Sequence, residues 1–420
     1  MTKARNEVLC GALTDRSAIV LGAGLQGATV ALALADAGYS VVVLDEAHDC
    51  LQRASLRNEG KIHLGFVYAH DQSHRTAPLM LESALAFGPL LEEWLGAPVP
   101  WAQATTSPFS YLILDDSLVP PAELFASWER LQAAFDQMTG GRPSCYLGRP
   151  ASRLWRPPED ARRARAPFSD RVSDVVETVE RSVNLEVLCD LVRARLHARD
   201  RVTCHYRHRV RTVRRTGNGF AVEATTPAGT RWLGEAPVVV NCLWGGRLAI
   251  DREMGVLPRR RWVYRLKYRL LGQLPPLLAD LPSLTMMLGR FGDVVNYGDG
   301  RAYLSWYPTC LGGWSSDVET PEAWAAACRE GVPVDEAQEL IHTTLAAFDA
   351  IVPGLGGCRI ESVAAGVIFS WGATDIDDLE SELHRRDDIG PAAYDGYITV
   401  NTGKFTSAPL FAKRVVDLLR

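Results

Sequence analysis

Three glycines near the start of the sequence have the spacing of a phosphate-binding turn, in the segment Gly22-Ala-Gly-Leu-Gln-Gly27. In such a turn the first glycine permits a tight bend, and Gly24 lets a pyrophosphate approach the backbone closely. The third, Gly27, lets the following helix pack against the preceding strand. The N-terminus of that helix offers free N–H groups and a partial positive charge to the phosphates. The motif predicts a dinucleotide site; the alternative is a glycine turn that serves packing alone.

An acidic residue stands where such a site binds the ribose. Asp45 follows a second apolar run, Ser40 to Leu44, about 20 residues after the glycines. A carboxylate at this place accepts a hydrogen bond from a ribose hydroxyl, and the neighbouring Glu46 is the alternative ligand. An aspartate in place of an arginine argues against the 2′-phosphate of NADP. These residues alone are compatible with both FAD and NAD.

Two polar residues, His63 and Lys61, could take part in proton transfer and charge stabilisation. His63 has a near-neutral reference pKa, which makes it a candidate base for the oxidation of an alcohol. Its alternatives are a packed structural role and a covalent attachment point for a flavin. Lys61 is the nearby cation, with a solvated surface residue as the alternative. His70 and His74 have the i, i+4 spacing of metal ligands, but no third ligand accompanies them, so we expect no metal.

Polar side chains with a period of two mark a candidate substrate wall. Arg261, Arg265 and Lys267 are predicted to lie on one face of a strand, where they could bind a carboxylate or a phosphate. The alternative is the exposed face of a half-buried sheet. Tyr303 and Tyr307 are predicted to share one face of another strand and to suit a cavity wall. Of these residues, Arg265 and Tyr307 are the candidate substrate contacts.

These residues need a scaffold that brings distant segments together. Ser17 to Leu21 is predicted to be a buried strand and Leu25 to Ala37 a helix, and with the strand Ser40 to Leu44 they form one βαβ unit. Tyr397 to Asn401 is predicted to be a late strand, followed by a last helix. The segment Pro143 to Phe168 is predicted to be a loop that crosses between domains.

The first of three longer patterns is the segment Arg57-Asn-Glu-Gly-Lys-Ile-His-Leu-Gly-Phe-Val-Tyr68. It resembles the flavin-proximal loop of the D-amino-acid oxidase superfamily of FAD-dependent oxidoreductases, and is closest in character to the glycerol-3-phosphate and L-2-hydroxyglutarate dehydrogenase branches. Val238 to Gly246 resembles its strand and glycine turn beside the FAD pyrophosphate. Tyr397 to Pro409 resembles its C-terminal strand and flavin-contacting loop. Within the second segment, Cys242-Leu-Trp244 departs from the small residues that are usual there, and the stretch 71–182 does not contribute to the resemblance.

The resemblance implies that the cofactor is FAD, held by the first βαβ unit and by the returning C-terminal segment. Reduced flavin carries negative charge, which the ammonium of Lys404 would stabilise; the alternative is a solvated loop lysine. The predicted cofactor contacts are Gly22, Gly24, Leu25, Gln26, Gly27, Asp45, Glu46, Arg57, Asn58, Val210, Gly245, Gly403, Lys404, Phe405 and Thr406.

We therefore expect an α/β fold, with a Rossmann-type FAD-binding domain and a mixed α+β substrate domain built on an antiparallel sheet. The FAD-binding domain is expected to be discontinuous, over residues 13–100, 174–250 and 361–420, with the substrate domain over 101–173 and 251–360. A length of 420 residues supports two domains, because a single core stops growing at roughly 250–300 residues.

The composition indicates a globular protein whose partner is a small molecule. A net charge of −5 gives no general attraction to nucleic acid. None of the nine cysteines forms a C-x-x-C pair, which favours reduced thiols and a cytoplasmic location. The sequence contains no apolar run of about 18 residues, so we expect no membrane span.

Together these features predict a FAD-dependent oxidase or dehydrogenase. It would remove a hydride from a C–N or C–O bond of a small polar amine, amino acid or hydroxy acid. The electron acceptor stays open between oxygen and another carrier. Two alternatives also stay open, an NAD-dependent dehydrogenase and a non-catalytic nucleotide-binding protein.

Overall fold

The structure is a computed structural model, and it describes residues 7–9, 16–374 and 378–420. Its α-helices are α1 (Leu25–Asp36), α2 (Thr76–Leu95), α3 (Trp101–Ala104), α4 (Pro121–Thr139), α5 (Ala161–Arg165), α6 (Leu185–Ala198), α7 (Arg247–Glu253), α8 (Tyr307–Cys310), α9 (Glu322–Glu330), α10 (Val334–Asp349) and α11 (Ala408–Asp417). Its strands are β1 (Glu7–Leu9), β2 (Ser17–Leu21), β3 (Ser40–Leu44), β4 (Lys61–Ile62), β5 (Phe109–Leu114), β6 (Ser144–Tyr146), β7 (Arg149–Ala151), β8 (Trp155–Arg156), β9 (Val172–Thr178), β10 (Arg181–Ser182), β11 (Val202–His205), β12 (Arg209–Thr216), β13 (Gly219–Thr225), β14 (Arg231–Ala236), β15 (Val238–Asn241), β16 (Trp262–Gln273), β17 (Ser283–Met286), β18 (Gly292–Asn296), β19 (Arg301–Trp306), β20 (Leu311–Ser315), β21 (Arg359–Trp371), β22 (Gly390–Tyr394) and β23 (Tyr397–Asn401).

A six-stranded sheet contains the predicted βαβ unit. Its strands lie in the order β11-β3-β2-β15-β23-β22, and all neighbours are parallel except β22 and β23. The strands β2 and β15 are continuous apolar runs that are almost wholly buried, as expected of a parallel sheet covered on both faces. Between α1 and β3, Gly38 takes a left-handed φ of 89° that favours glycine. The predicted α/β class and its Rossmann-type unit are confirmed.

A nine-stranded sheet forms the second large layer. Its order is β20-β16-β19-β18-β17-β5-β9-β8, and β21 pairs with β16. All of its pairs are antiparallel except β17 with β5. The predicted antiparallel sheet is therefore confirmed, with one parallel pair that no sequence pattern indicated. Both β9 and β21 belong to this sheet, although most of their residues fall within the ranges expected for the FAD-binding domain.

Three local predictions were wrong. Strand β19 ends at Trp306 and Tyr307 begins α8, because Pro308 cannot donate to a sheet ladder but suits the first turn of a helix. Arg261 lies just before β16, which begins at Trp262, so it is not on the strand of Arg265. The predicted loop 143–168 contains the hairpin β6–β7, strand β8 and helix α5, which are too short to give a periodic pattern.

Helix α11 returns the end of the chain to its beginning. It packs against α1 and α2. The side-chain amide of Gln26 donates to the carbonyl oxygen of Ala408 at 3.0 Å, and the hydroxyl of Thr29 donates to the same oxygen at 3.4 Å. The C-terminal loop before α11 is thereby held beside the glycine turn.

A four-stranded sheet, in the order β1-β14-β13-β12, forms a smaller layer. Strand β12 lies at its edge and contains Val210, which borders the cavity described below. Within the part of the chain that the structure describes, no helix is long and apolar enough to cross a membrane.

Candidate active site

A cavity of about 660 Å³ is lined by segments of both large sheets. Ligand sites commonly have volumes of about 300–1,000 Å³. All the residues predicted from sequence to contact cofactor or substrate line this cavity, except Gly27 and Thr406. The cavity thus brings together the glycine turn, the loop 57–68, the C-terminal loop and one face of β16.

The glycine turn has the shape of an anion cradle. A Cβ atom on Gly27 would lie 1.8 Å from the carbonyl oxygen of Gly22, so only glycine lets α1 begin this close to β2. Among the described residues, no group accepts a hydrogen bond from the backbone N–H of Gly24 or Gln26. Free N–H groups at a helix N-terminus fit the pyrophosphate of a dinucleotide.

Ser55, which the sequence did not single out, holds the first turn of α1. Its hydroxyl accepts from the backbone N–H of Leu25 at 2.9 Å in a buried position. Asn58 fixes the same loop, because its side chain donates to Ala54 at 2.8 Å and accepts from the N–H of Gly60 at 2.7 Å. Both residues shape the cavity wall through the backbone.

The carboxylate of Asp45 binds two backbone N–H groups, from Ala23 at 2.6 Å and from Ala47 at 2.8 Å. Burial raises the pKa of Asp45, although these two hydrogen bonds oppose the shift. Glu46 instead pairs with Arg53 at 2.5 Å. A carboxylate oxygen accepts more than one hydrogen bond, so Asp45 retains capacity for a ribose hydroxyl.

We expect Asp45→Ala to weaken FAD binding by roughly ten- to a hundredfold, because a hydrogen bond to a charged group contributes about 1.5–3 kcal/mol. Titration of the apoprotein with FAD measures the dissociation constant. Glu46→Ala is the comparison variant and should change the constant by less than about threefold, since its ion pair is solvent-exposed. A larger loss with Glu46→Ala than with Asp45→Ala would make Glu46 the ribose ligand.

Trp244 lies in the turn that follows β15. Its backbone is left-handed, with φ of 54°, and its indole N–H donates to the carbonyl oxygen of Val367 at 2.7 Å. The turn lies directly against the glycine turn, because a Cβ on Gly22 would lie 2.8 Å from the carbonyl oxygen of Cys242. Around Gly245 there is space, since an added Cβ would meet nothing closer than 3.9 Å. The indole therefore connects this turn to β21.

Three side chains bind alternate carbonyl groups of β21. Alternate carbonyl groups of a strand point to the same edge, so the three carbonyl groups lie along one edge of β21. Residues of β21 line the cavity. Arg57 donates to the carbonyl oxygen of Ala365 at 3.3 Å and Trp244 to that of Val367 at 2.7 Å. Arg386 donates to the carbonyl oxygen of Phe369 at 2.7 Å.

Lys61 is the centre of a buried charge network. Its ammonium donates to Thr285 and, at 3.0 Å, to Asp293, and it lies 3.9 Å from Glu180. Glu180 is fully buried and accepts from the hydroxyl of Tyr111. Burial acts to raise the pKa of Asp293, but Lys61, Lys267 and the hydrogen bond with Thr285 together outweigh it, and the pKa is lowered. Because these partners satisfy the ammonium, the geometry favours a positioning role for Lys61 over contact with substrate.

His63 is buried at the cavity, with Nε2 3.5 Å from a carboxylate oxygen of Glu59. Its backbone N–H donates to the hydroxyl of Thr406 at 2.9 Å, which ties the C-terminal loop to the loop 57–68. Burial and the charge of Lys404 lower the pKa of His63, so the imidazole is neutral at pH 7. A neutral imidazole beside a carboxylate is arranged to accept a proton.

Lys404 lines the cavity shortly after β23. Gly403 precedes it with a left-handed φ of 64°, and Phe405 begins the 3-10 turn that leads into α11. Burial lowers the pKa of Lys404 to about 8, with Glu59 opposing the shift. Lys404 can therefore place a positive charge in the cavity at neutral pH.

Arg265 and Tyr307 border the cavity in different ways. The guanidinium of Arg265 is buried, donates to the hydroxyl of Ser370 and lies 4.7 Å from the ring centroid of Trp314. These contacts brace the wall between β16 and β21. The ammonium of Lys267, which belongs to β16, lies 5.6 Å from the ring centroid of Tyr307.

Arg386 was not among the predicted contacts. It is only 9% exposed, and among the described residues it has no carboxylate within ion-pair distance. Burial lowers its pKa, as expected of a charge in a poorly solvated place. Lys267 is half-buried and likewise has no ion pair in the described part of the chain. Because a buried charge without a counter-ion is costly, the two cations fit an anionic ligand.

Outside this cavity, Asp49, Cys50 and His197 lie close enough together to hold a metal ion. Asp49 already pairs with Arg193 at 2.8 Å, and the hydroxyl of Tyr206 lies 2.7 Å from Nε2 of His197. Burial raises the pKa of Cys50 to about 12, which disfavours the thiolate that a metal requires. These contacts favour a hydrogen-bonded structural cluster.

Comparison with known families gives one match over nearly the whole chain. The model of the DAO family, described as FAD dependent oxidoreductase, matches residues 17–418. No curated protein matches the sequence significantly.

Several solved structures share the fold. Glycine oxidase from Geobacillus kaustophilus has a TM-score of 0.65 at 15% identity, over 97% of this chain and 94% of its own. L-proline dehydrogenase from P. horikoshii has a TM-score of 0.65 at 14% identity, over 96% and 93%. A glycerol-3-phosphate dehydrogenase from Bacillus halodurans, complexed with FAD, has a TM-score of 0.54 at 13% identity, over 97% and 64%. At these identities the similarity concerns the fold.

Proposed function

Because this chain belongs to the DAO family of FAD-dependent oxidoreductases, we propose that it oxidises a small anionic molecule bound beside the flavin. The chain is an enzyme and FAD is its cofactor, which sets aside both an NAD-dependent dehydrogenase and a non-catalytic nucleotide-binding protein. The observation that carries the proposal is Arg386, a buried cation of the cavity wall without a carboxylate partner among the described residues. An anionic substrate would supply the missing counter-ion.

The residues of the cavity fit FAD. The free N–H groups of Gly24 and Gln26 would hold its pyrophosphate and Asp45 its ribose. Bound FAD supplies the hydride acceptor. Lys404 would place its ammonium near the part of the flavin where negative charge develops on reduction.

The remaining residues orient the substrate and move a proton. Arg386 and Lys267 would bind the anionic group and fix the position of the neighbouring carbon, which raises the fraction of productive encounters. His63 would accept the proton that leaves with the hydride. The names of the similar enzymes refer to glycine, L-proline and glycerol-3-phosphate, each of which carries an anionic group, and this supports the proposal.

A panel of small molecules tests the proposed function. The purified protein should contain FAD, and anaerobic mixing with hydroxy acids, amino acids, phosphate esters, neutral amines and neutral alcohols should bleach the flavin only for anionic compounds. Bleaching by neutral amines or alcohols at similar concentrations would contradict the anionic site. Bleaching by no anionic member would contradict the proposed reaction.

Lys404→Met should lower the midpoint potential of the flavin while FAD stays bound, because the variant keeps much of the stem and loses the charge. The difference from wild type should shrink above pH 8, where a lysine with a pKa of about 8 is already neutral. Anaerobic redox titration at several pH values measures this. Lys413→Met, which changes an exposed lysine of α11, is the matched control. Equal potentials for both variants would show that Lys404 does not act on the flavin.

We also propose a cytoplasmic location and a division of the chain into two domains. A cytoplasmic location is supported by the described cysteines, which are all free thiols. A division into a discontinuous FAD-binding domain and a substrate domain is supported by the two large sheets. Electrons would leave the reduced flavin for an acceptor, either oxygen or another carrier.

A further inference from the structure

A carboxylate of the cavity wall, Asp293, has one oxygen to which no described residue donates a hydrogen bond. We propose that this oxygen accepts a hydrogen bond from a hydroxyl group of the substrate. The substrate is then an anion that carries a hydroxyl group in addition to the group that is oxidised. This inference rests on the proposed function and adds the chemical class of the substrate, with Asp293 as a specificity-determining residue.

The nine-stranded sheet places Asp293 in a polar row on its cavity side. In the ladder, Asp293 of β18 lies opposite Thr285 of β17 and opposite Ser305 of β19. Residues that lie directly opposite each other in antiparallel strands share a face of the sheet, and all three line the cavity. Thr285 and Ser305 are buried, whereas the side chain of Asp293 is 28% exposed. Asp293 is therefore the accessible member of the row.

The two oxygens of the Asp293 carboxylate have different surroundings. Oδ1 accepts from the hydroxyl of Thr285 at 2.7 Å and from the ammonium of Lys61 at 3.0 Å. Among the described residues, no group donates to Oδ2. Because the pKa of Asp293 is lowered despite burial, the side chain is ionised at neutral pH. Oδ2 is thus a charged acceptor with lone pairs available to a ligand.

Asp293 lies near the cations that we assign to the substrate and to the flavin. The charge of Lys267 contributes to the lowered pKa of Asp293. Burial lowers the pKa of Lys404, and the charge of Asp293 acts against this shift. A substrate whose anionic group is held by Lys267 beside the flavin therefore brings its other polar groups close to Asp293.

The surrounding charges favour a hydroxyl over an ammonium as the donor to Oδ2. Lys61 already supplies the counter-charge of Asp293, and Lys267 acts on the same carboxylate. Glu59, the other carboxylate that acts on Asp293, faces Lys267 and Lys404. Three lysines thus surround two carboxylates before any substrate binds. A further cation would be repelled by the lysines, whereas a hydroxyl donates a hydrogen bond without adding charge.

A substrate without this hydroxyl leaves Asp293 unsatisfied. It would displace water from Oδ2 and offer no donor in return, and an ionised acceptor without a partner in a poorly solvated site is costly. Sites that form a hydrogen bond with a substrate hydroxyl reject analogues that lack it. We therefore expect discrimination of at least about tenfold between a hydroxylated anion and its deoxy analogue.

Matched substrates test this discrimination in the wild-type holoenzyme. Serine with alanine, homoserine with 2-aminobutyrate, glycerate with lactate and 2,4-dihydroxybutyrate with 2-hydroxybutyrate each share the anionic group and the oxidised group. The comparison therefore holds whether an amine or an alcohol is oxidised. In the best pair, the second-order rate constant for anaerobic flavin reduction should be at least about tenfold higher for the hydroxylated compound. Equal or faster reduction by the deoxy compound in every productive pair overturns the inference.

A second comparison tests the charge of the donor. Homoserine and 2,4-diaminobutyrate differ in a hydroxyl against an ammonium, as do 2,4-dihydroxybutyrate and 4-amino-2-hydroxybutyrate. The hydroxyl compound should reduce the flavin at least about tenfold faster at pH 7, because the ammonium meets the three lysines. Faster reduction by the ammonium compound overturns the assignment of a hydroxyl.

Asp293→Asn tests the residue itself. The amide oxygen can keep the hydrogen bonds from Thr285 and Lys61, while an NH₂ group replaces Oδ2 and exchanges an acceptor for a donor. The preference for the hydroxylated compound, taken as the ratio of the two rate constants, should fall to within about threefold of one. A purely structural role would slow both members of a pair equally and leave the ratio in place. Asp116→Asn changes an exposed aspartate that pairs with Arg171, and it should keep the wild-type ratio.

The outcomes separate this inference from the proposed function. A wild-type ratio in Asp293→Asn overturns the role of Asp293. The substrate pairs need no variant, so they decide the chemical class even where Asp293→Asn does not fold. Bleaching by anions without any preference for the hydroxylated compound overturns this inference and leaves the proposed function intact. Failure of every anion in the wider panel would instead overturn the proposed function itself.

Discussion

Arg386→Gln is expected to raise the KM for the anionic substrate by roughly 30- to 1,000-fold while FAD stays bound. The guanidinium is buried and has no carboxylate partner among the described residues, so a substrate anion would be its main counter-ion. Truncating one partner of a buried charge pair costs about 2–4 kcal/mol in binding, which gives this range. Steady-state kinetics with the substrate found by the panel measures the effect, and the flavin spectrum reports FAD content.

The neighbouring residue supplies the control. Arg385 is partly exposed and pairs with Asp387, so Arg385→Gln should change the KM by less than about threefold. An unchanged KM in Arg386→Gln, or equal changes in the two variants, would contradict an anion site at Arg386.

Gly27→Ala is expected to abolish FAD binding and to destabilise the fold by more than about 3 kcal/mol. The added Cβ would lie 1.8 Å from the carbonyl oxygen of Gly22, which is backbone and has no rotamer to change. Relief requires α1 to move away from β2, and this movement would open the cradle formed by Gly24 and Gln26. Chemical denaturation and the FAD content of the purified protein measure both effects.

Gly217→Ala is the matched control for this change. Gly217 lies in the turn between β12 and β13, and an added Cβ there would meet no atom within 4 Å. This variant should retain FAD and wild-type stability within about 0.5 kcal/mol. A Gly27→Ala protein with full FAD content would show that the turn does not depend on the close approach of helix and strand.

The parts of the fold that the sequence predicted are those determined locally. The glycine spacing, the apolar runs of β2 and β3 and the acidic residue Asp45 lie within one short βαβ unit, where nearby residues determine the structure. The strand Tyr397–Asn401 is also as predicted, and its five residues are all buried. A short run of this kind between polar segments is typical of a buried strand. Its place in the parallel sheet came from the family resemblance, since no local pattern specifies a partner so far away in the chain.

The parts that the sequence missed depend on tertiary contacts. Lys61 was expected to be a cation near the reaction, yet it is paired with Thr285 and Asp293, more than two hundred residues later in the chain. Arg386 follows an arginine and precedes two aspartates, a pattern typical of a solvated surface. Its burial arises because a loop folds back to the carbonyl group of Phe369. Local periodicity carries no information on such contacts.

The position of His63 was predicted, but its partner was not. Glu59 lies four residues before His63, outside any helix, so the i, i+4 spacing alone did not indicate a contact. The pair forms because the loop 57–68 turns within the cavity, where Thr406 holds His63 and the lysines of two other elements face Glu59. Its chemistry therefore depends on segments from both ends of the chain.

The most direct test of the account compares a carboxylate substrate with its carboxamide in the anaerobic reduction of the wild-type holoenzyme. The two compounds differ in charge and little in shape, so the comparison reports on the anion site formed by Arg386 and Lys267. We predict that the carboxylate reduces the bound flavin at concentrations at least about a hundredfold lower than the carboxamide requires. Equal reduction by the two compounds would contradict an anionic substrate, and purified protein that neither contains nor takes up FAD would contradict the reaction as a whole.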